Sequence, residues 1–252
     1  MKAEYSKNIT VLPSQVDAYG RMSHAQIFDL FMDVATEAAE ALGVGLAFLR
    51  RQGLFWITVK TRVEFLERPR LLDAVEVSTW PEPPAEMRCN RHYEIRRGGD
   101  VLVRGKTEWA IVSAMTRRPQ SLEGIMPPGL EYPDARACLE PFPMIDEGFQ
   151  DAPFAAHRVT ARDIDMAFHM NNVAYVRAII DDLTVEQWRA MDVRRMDVVF
   201  RASAHEGDEL LLQKRANGEA TDIRGSLPDG RTIVMARLIC GKGKASPAHG
   251  PL

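Results

Sequence analysis

The segment RDIDMAFHMNNVAYVR, residues 162–177, decides the fold that we expect for the whole chain. It joins two carboxylates, a histidine and a pair of asparagines to an apolar run. Either Asn171 or Asn172 can cap a helix that begins at this apolar run. Asp165 and His169 then lie in a loop at the N-terminus of the helix, where backbone N–H groups and the helix dipole favour developing negative charge.

The histidine of this segment has two interpretations. An imidazole ordinarily titrates near neutral pH, so a histidine at such a helix terminus can perform acid–base chemistry or orient a water molecule. The same residue types also occur in a plain polar loop, in which the histidine caps a turn. The segment alone favours neither interpretation over the other.

The composition is that of an ordinary soluble globular protein. The chain has 252 residues, of which 46% are hydrophobic and 27% charged, so it can bury a full core as one large domain or two medium ones. A net charge of −3 gives no sign of a nucleic-acid partner.

The three cysteines, Cys89, Cys138 and Cys240, have neither a zinc spacing nor a disulfide framework, which favours a reducing compartment. We therefore expect no metal, and the lack of a phosphate-binding loop or dinucleotide fingerprint predicts no organic cofactor.

The sequence carries no targeting or membrane signal. Residues 1–7 contain no apolar core of a signal peptide. No stretch reaches the roughly 18 uninterrupted apolar residues that indicate a transmembrane helix. We therefore expect a cytoplasmic protein without a membrane span.

The first half of the chain predicts one long buried helix followed by antiparallel strands. Apolar residues recur at spacings of three and four over residues 25–42, and the many alanines among them indicate that the helix is largely buried. Gly43 and Gly45 predict its end. The period then changes to that of strands. Strands are expected at residues 7–11, 55–65, 74–80, 91–96 and 101–112, with a tight turn at residues 98–100.

The second half repeats this order of elements. A strand is expected at residues 154–159, a helix at residues 172–183, and a further short helix capped by Thr184. Strands follow at residues 196–201, 209–215, 221–226 and 232–241.

A proline-rich segment separates the two halves. It has no lasting period, which is typical of a linker that crosses the surface. Its length is large for a loop within one compact domain, which argues that it joins two units. We therefore divide the chain into a first repeat (residues 1–115), a linker (116–153), a second repeat (154–243) and a disordered tail (244–252).

The two halves also match residue by residue. Residues 17–27 align with residues 165–175 without a gap, and this alignment places Arg21 at the position of His169. Only the second copy has the acid and histidine pair, which indicates a duplication followed by specialisation. The other aligned pairs are Met22 with Met170, Ser23 with Asn171, His24 with Asn172, Phe65 with Phe200, and Asp73 with Asp208.

A buried alanine-rich helix wrapped by an antiparallel sheet, twice in one chain, resembles the double (tandem) hotdog fold of the α+β class. The residues from Asp163 to Tyr175 are similar to the motif D-[LI]-D-x-N-x-H-x-N-N-x-x-Y of the acyl–acyl carrier protein (acyl-ACP) thioesterases. The resemblance covers residues 6–242. The H-x-N-N-x-x-Y part occurs in many hotdog thioesterases, whereas its combination with the first-half segments is fairly specific. Those segments are Gly53 to Trp56, Thr79-Trp80-Pro81, Arg91 to Ile95, and Glu108-Trp109 with Thr116-Arg117-Arg118-Pro119.

The resemblance implies hydrolysis of a fatty acyl thioester on the phosphopantetheine arm of acyl carrier protein, as in fatty acid biosynthesis and lipid metabolism. It also implies a site in the second repeat, built from an Asp, an Asn, a His and an acidic residue on the next long strand. The Asp and His fall on Asp165 and His169, but the Asn falls on Ala167 and the acidic residue near Ser203. Neither of these two side chains is a base at neutral pH.

Five nearby residues are candidates for supporting this reduced site. Ser203 can still form a hydrogen bond through its hydroxyl group. His205 or Glu206 can supply the missing base after a local shift of the chain. Asn171 and Asn172 can position the substrate, although helix capping explains them adequately. In the mechanism that follows from the resemblance, the aspartate is a base or a positioning carboxylate, the histidine activates water, and a backbone N–H at the helix start binds the thioester oxyanion.

We therefore expect an acyl-ACP thioesterase, a thiolester hydrolase that needs no cofactor. The first alternative is a degraded hotdog protein that binds acyl chains or acyl carrier protein without efficient turnover. A hydratase on the same fold is a second alternative, which only the fold supports. The sequence leaves open the acyl chain length, the choice between acyl carrier protein and coenzyme A, and whether the chain forms a homodimer.

Overall fold

A computed structural model describes residues 1–149, 151–181 and 184–241. The chain divides into two compact units, Met1–Phe142 and Pro143–Leu252. The tail expected at residues 244–252 lies outside the described residues, as do the last two residues of the helix expected at 172–183. Among the residues that the structure describes, there is no helix of the length and hydropathy that a membrane crossing requires.

The first unit is a long helix together with an antiparallel sheet. The order of strands in the sheet is β1-β3-β4-β5-β2, and the short β6 pairs with β5. Its helices are α1 (His24–Ala41) and α2 (Leu46–Arg51). Its strands are β1 (Tyr5–Thr10), β2 (Leu54–Phe65), β3 (Ala74–Pro81), β4 (Cys89–Arg97), β5 (Asp100–Ser113) and β6 (Pro119–Gln120).

Helix α1 is buried against the sheet, as its apolar spacing predicts. Ser23 caps it by accepting a hydrogen bond from the backbone N–H of Gln26 at 3.1 Å. Phe31 stacks on Tyr93 of β4 with ring centroids 4.6 Å apart. Gly105 of β5 has no Cβ, and the Phe31 ring occupies the space that a Cβ would need. The close packing of helix and sheet at this point therefore requires a glycine.

The second unit repeats the topology of the first. Its sheet has the strand order β7-β9-β10-β11-β8, so in both units the first, third, fourth, fifth and second strands are neighbours in that order. Its helices are α3 (Asn172–Asp181) and α4 (Val185–Ala190). Its strands are β7 (Ala155–Arg158), β8 (Val193–Phe200), β9 (Glu209–Asn217), β10 (Ala220–Ser226) and β11 (Thr232–Cys240).

Helix α3 is the buried helix of the second unit. Seven of its residues have almost no exposed surface, and Tyr175 among them lies against Phe200 of β8 with ring centroids 6.0 Å apart. The buried positions fall on several sides of the helix, which is why its sequence is apolar almost without interruption. They are Val173, Ala174, Tyr175, Val176, Ala178, Ile179 and Ile180.

The proline-rich segment contributes apolar side chains to both units. In the first unit, Leu122 and Ile125 join the cluster of Leu49, Cys89 and Ile111. In the second unit, Ile145 and Phe149 pack with Val199 and Met235. The indole N–H of Trp80 donates to the carbonyl of Ala135 at 2.6 Å. These buried side chains follow no helix or strand period, because the described part of the segment has no regular structure beyond the short β6.

Candidate active site

A tight turn precedes helix α3 and carries His169. The Oδ1 atom of Asp165 accepts hydrogen bonds from the backbone N–H groups of Ala167 at 2.8 Å and His169 at 3.5 Å. The backbone N–H of Asp165 donates to the carbonyl of His169 at 2.9 Å, and that of Phe168 donates to the carbonyl of Asp165 at 3.0 Å. Asp165 therefore closes the turn on which His169 sits.

The first unit contains the same turn without a histidine. Oδ1 of Asp17 accepts from the backbone N–H groups of Tyr19 at 2.9 Å and Arg21 at 3.2 Å. The backbone N–H of Asp17 donates to the carbonyl of Arg21 at 2.8 Å. Because this aspartate has the same bonds where no histidine is present, the geometry favours Asp165 as a positioning carboxylate over Asp165 as the base.

The two asparagines have different positions at the start of α3. Oδ1 of Asn171 accepts from the backbone N–H of Ala174 at 2.8 Å, and its Nδ2 donates to the carbonyl of Asp163 at 3.2 Å. Asn171 is therefore the helix cap. Asn172 is the first helical residue and is half-buried. The N–H groups of Asn172 and Val173 open the helix and, as in any α-helix, have no intrahelical acceptor.

The loop that follows β8 is fastened to this helix by Tyr175. The backbone N–H of Ala204 donates to the phenolic oxygen of Tyr175 at 2.9 Å, and the backbone N–H of Met170 donates to the carbonyl of Ala204 at 2.9 Å. Burial raises the pKa of Tyr175 to about 12, so the phenol stays neutral at physiological pH. The sequence motif includes this tyrosine without giving it a role, and its anchoring of the loop is a finding of the structure.

The same loop brings His205 to His169. Their ring centroids are 4.9 Å apart, and the planes meet at 70°. Nδ1 of His205 lies 3.3 Å from the carbonyl oxygen of Phe168, and its backbone N–H donates to Oδ2 of Asp208 at 2.8 Å. Ser203 is half-buried two residues earlier in the loop, and Glu206 is exposed at the tip of the turn.

The corresponding loop of the first unit has the same backbone bonds. The N–H of Met22 donates to the carbonyl of Pro69 at 2.7 Å, as that of Met170 does to Ala204. The N–H of Arg70 donates to Oδ2 of Asp73 at 2.8 Å, as that of His205 does to Asp208. These matched bonds extend the repeat to side chains. Arg21, Arg68 and Arg70 of the first unit occupy the positions of His169, Ser203 and His205 of the second.

In the first unit, the side chain of Arg68 occupies the position that corresponds to the candidate site of the second unit. Its Nη1 donates to Oδ2 of Asp17 at 2.7 Å and to the carbonyl of Met22 at 3.1 Å. The side chain of Ser203 is too short to do the same in the second unit. A short hydroxyl side chain in the second unit therefore stands where the first unit has an arginine paired with its aspartate.

Phe168 has an unfavourable backbone conformation within the turn. Its φ is 60°, in the left-handed region that bulky residues avoid. The first unit has Gly20 at the same position with a φ of 66°. The Phe168 side chain is 81% exposed, so packing does not account for its presence. A strained residue that the fold does not need is an indication of function.

Two family models match the chain. The model described as acyl-ACP thioesterase N-terminal domain matches residues 2–125, and the model described as acyl-ACP thioesterase C-terminal domain matches residues 148–231. The two matches correspond to the two structural repeats, and together they cover most of the chain.

The similar curated proteins are plant proteins of low identity. An oleoyl-acyl carrier protein thioesterase from Arabidopsis thaliana, named as chloroplastic, is 21% identical over 245 residues, which are 90% of this chain and 67% of that relative. The chain spans about half the length of other such relatives, with shares of 47% and 54%.

Solved structures of the same kind share the fold. An acyl-ACP thioesterase from Bacteroides thetaiotaomicron superposes with a TM-score of 0.82 at 19% identity, covering 95% of this chain and 98% of that one. A 12:0-ACP thioesterase from Umbellularia californica has a TM-score of 0.78 at 15% identity, with 94% and 96% covered. These likenesses confirm the tandem hotdog fold expected from the sequence.

Proposed function

The chain belongs to the acyl-ACP thioesterase family, and we propose that it hydrolyses fatty acyl thioesters and releases free fatty acids. One observation carries this proposal. At equivalent positions of the two repeats, three arginines of the first unit give way to two imidazoles and a serine in the second. The second unit therefore has two imidazoles beside a helix N-terminus, where the first unit has the ion pair of Arg68 with Asp17.

In the proposed reaction, a water molecule attacks the carbonyl carbon of the thioester. His169 binds and activates this water, since a neutral imidazole accepts a hydrogen bond through its unprotonated nitrogen. Asp165 acts as a positioning residue, because its carboxylate closes the turn that carries the histidine.

The negative charge that develops on the thioester oxygen requires hydrogen-bond donors. We assign this role to the backbone N–H groups of Asn172 and Val173, which begin helix α3. Such groups have no intrahelical acceptor, and the helix dipole adds to their attraction for an oxyanion. Collapse of the intermediate breaks the C–S bond, and the leaving sulfur takes up a proton to give the free thiol.

Acyl carrier protein is the carrier that we propose. The descriptions of both matching families name it, and so does the name of the Arabidopsis relative. Coenzyme A presents the same phosphopantetheine arm, so a comparison of kcat/KM for one acyl group on both carriers tests this choice. A cytoplasmic location and a homodimer stay predictions.

Binding of acyl chains or acyl carrier protein without efficient turnover is the second candidate function. It is favoured by Ala167 and Ser203, which stand where the family has an amide and a carboxylate. Loss of a general base typically slows a reaction by about 100- to 10,000-fold. A site of this kind would retain the binding surface of the family and lose most of its rate.

The test is hydrolysis of acyl-ACP thioesters from C4 to C18 by the purified protein and by the variant His169→Ala. We expect turnover at one or more chain lengths and a decrease of at least about 100-fold in the variant. Arg21→Ala is the matched control, because Arg21 occupies the same position of the same turn in the first unit. It should leave turnover unchanged.

The outcomes separate the two candidate functions. Turnover that depends on His169 supports the thioesterase. Acyl chains retained without turnover at any length would support the binding protein instead. Equal turnover by the wild-type protein and His169→Ala would remove His169 from the mechanism.

A further inference from the structure

Two imidazoles lie side by side in the candidate site, although the family motif accounts for only one. The ring of His205 meets that of His169 edge to face, with centroids 4.9 Å apart. We propose that His205 is the general base of the hydrolysis and takes the place of the carboxylate that this chain lacks. This inference rests on the proposed function, and it assigns the destination of the water proton.

The contact between His205 and Phe168 indicates which ring nitrogen of His205 carries the hydrogen in the neutral form. A carbonyl oxygen can only accept, so Nδ1 of His205, 3.3 Å from the carbonyl of Phe168, must carry the hydrogen. In the neutral ring, Nε2 then has the free lone pair. A general base needs this form, with one nitrogen held by the protein and the other open to a proton.

The first unit satisfies the equivalent carbonyl in a different way. There the carbonyl of Gly20 accepts from the backbone N–H of Leu71 at 2.8 Å. In the second unit the carbonyl of Phe168 receives a side chain, the ring of His205. The second unit has therefore replaced a backbone bond by one that orients an imidazole. Phe168, the residue with the strained φ, is therefore also the residue whose carbonyl orients the ring of His205.

Three neighbouring residues of the site are poorly suited to accept the proton. Ala167 and Ser203 have no basic side chain at neutral pH. The carboxylate of Asp165 already accepts two backbone N–H groups, which hold its Oδ1 atom within its own turn. His205 is exposed, which lets water reach the ring.

The proposed step balances as follows. Nε2 of His205 accepts one proton from the water bound at His169, while the water oxygen forms a bond to the thioester carbon. The tetrahedral intermediate collapses, and the C–S bond breaks with its electron pair on sulfur. The imidazolium of His205 returns its proton to that sulfur, which gives a fatty acid, a free thiol and a neutral ring.

The test compares His205→Ala and His205→Gln with the wild-type protein on the best substrate of the acyl-ACP panel. We expect kcat to fall by about 100-fold or more in both variants with little change in KM, because the base acts on water. Added imidazole should restore part of the activity of His205→Ala, since a small base can enter the space left by the ring. A purely structural role for His205 would not give this rescue.

The pH dependence of kcat/KM gives a second readout. We expect the wild-type activity to fall as the pH is lowered, because a base that already carries a proton cannot accept one from water. Because His169 also binds the water through an unprotonated nitrogen, an acidic limb should persist in His205→Gln but at a different pH. Arg70→Ala is the matched control, because Arg70 occupies the equivalent position of the first unit, and it should change neither kcat nor the pH profile.

The two proposals fail in different ways. A wild-type protein without turnover overturns the proposed function. A wild-type protein with turnover that His205→Ala retains in full, with the acidic limb unchanged, overturns only the role of His205. A large loss without imidazole rescue and with an unchanged limb in His205→Gln also overturns that role, since it would indicate a structural histidine.

Discussion

Phe168 and Gly20 occupy the same position of the same turn in the two units, and both have a positive φ, 60° and 66° respectively. Only glycine takes this conformation without steric cost. The turn is otherwise closed by the same bonds to Asp165 and Asp17. The second unit therefore retains a strained aromatic residue where the fold has an unstrained solution.

This strain predicts opposite effects of substitution at the two positions. Phe168→Gly should raise the free energy of unfolding by roughly 0.5–1 kcal/mol, because relief of about 1–3 kcal/mol of strain exceeds the entropy that a glycine loses on folding. Gly20→Ala should lower it by about 1 kcal/mol, since alanine must then take a positive φ. Urea unfolding of both variants measures the difference. A loss of stability in Phe168→Gly would show that the aromatic ring packs favourably after all.

Arg68 and Ser203 occupy equivalent positions in the two units, and we expect substitutions at the two positions to affect different properties. Arg68 should matter for stability, and the short side chain of Ser203 should matter for activity. Arg68→Ala should lower the free energy of unfolding by about 1–3 kcal/mol, because it leaves the partly buried Asp17 without its ion pair. Ser203→Arg should rebuild the ion pair at Asp165 and close the site. We expect it to reduce kcat/KM for acyl-ACP by at least about 100-fold, a loss as large as that of a catalytic group.

Ser203→Lys and Ser203→Ala serve as controls for this exchange. The alanine variant keeps a short side chain at this position and should stay within a few-fold of the wild-type activity. The lysine variant brings the charge without the planar donor pair of arginine, so it should inhibit less. Full activity in Ser203→Arg would contradict the prediction that an arginine at this position pairs with Asp165 and closes the site.

The regular elements of this chain could be predicted because each has a local signal. The apolar spacing before Gly43 predicts helix α1, and Ser23, Asn171 and Thr184 are the caps that the structure contains. Strand bounds differ from expectation by up to three residues, as at Val193–Phe200. Local propensity and period are sufficient for such elements, because each is fixed by neighbours in the sequence.

The candidate site could be predicted only in part, because side-chain direction in loops leaves no period in the sequence. The motif identified His169, and the expectation that His205 lies nearby agrees with the ring contact. The sequence-based prediction did not include the position of Arg68, whose side chain in the first unit lies where the second unit has the candidate site. The alignment of Phe65 with Phe200 contained that signal, since the third residue after each phenylalanine is Arg68 or Ser203.

The two asparagines predict separate effects on stability and activity. Asn171→Ala should lower the free energy of unfolding by about 1 kcal/mol, because the N–H of Ala174 loses its cap. Asn172→Ala keeps that cap and should change stability by less than about 0.5 kcal/mol. If the amide of Asn172 positions the substrate, kcat/KM falls roughly tenfold in this variant. A larger stability loss for Asn172→Ala than for Asn171→Ala would contradict the assignment of the cap.

His24 predicts how stability changes with pH. Burial lowers the pKa of this histidine well below its usual range, and the positive charge of Arg68 lowers it further. The unfolded chain therefore binds a proton below about pH 6.5 that the folded chain does not bind. The stability that His24 contributes is complete above this pH and decreases as the pH falls below it.

We therefore expect the free energy of unfolding to fall between pH 6.5 and pH 5, with a smaller slope in His24→Gln. His92 also has a pKa lowered by burial, so part of the slope should persist in that variant. His205→Gln is the control, because the ring that it removes is exposed to solvent in the folded protein. Urea unfolding at several pH values measures the three slopes. Equal slopes for the wild-type protein and His24→Gln would mean that the buried ring takes up its proton without unfolding the unit around it.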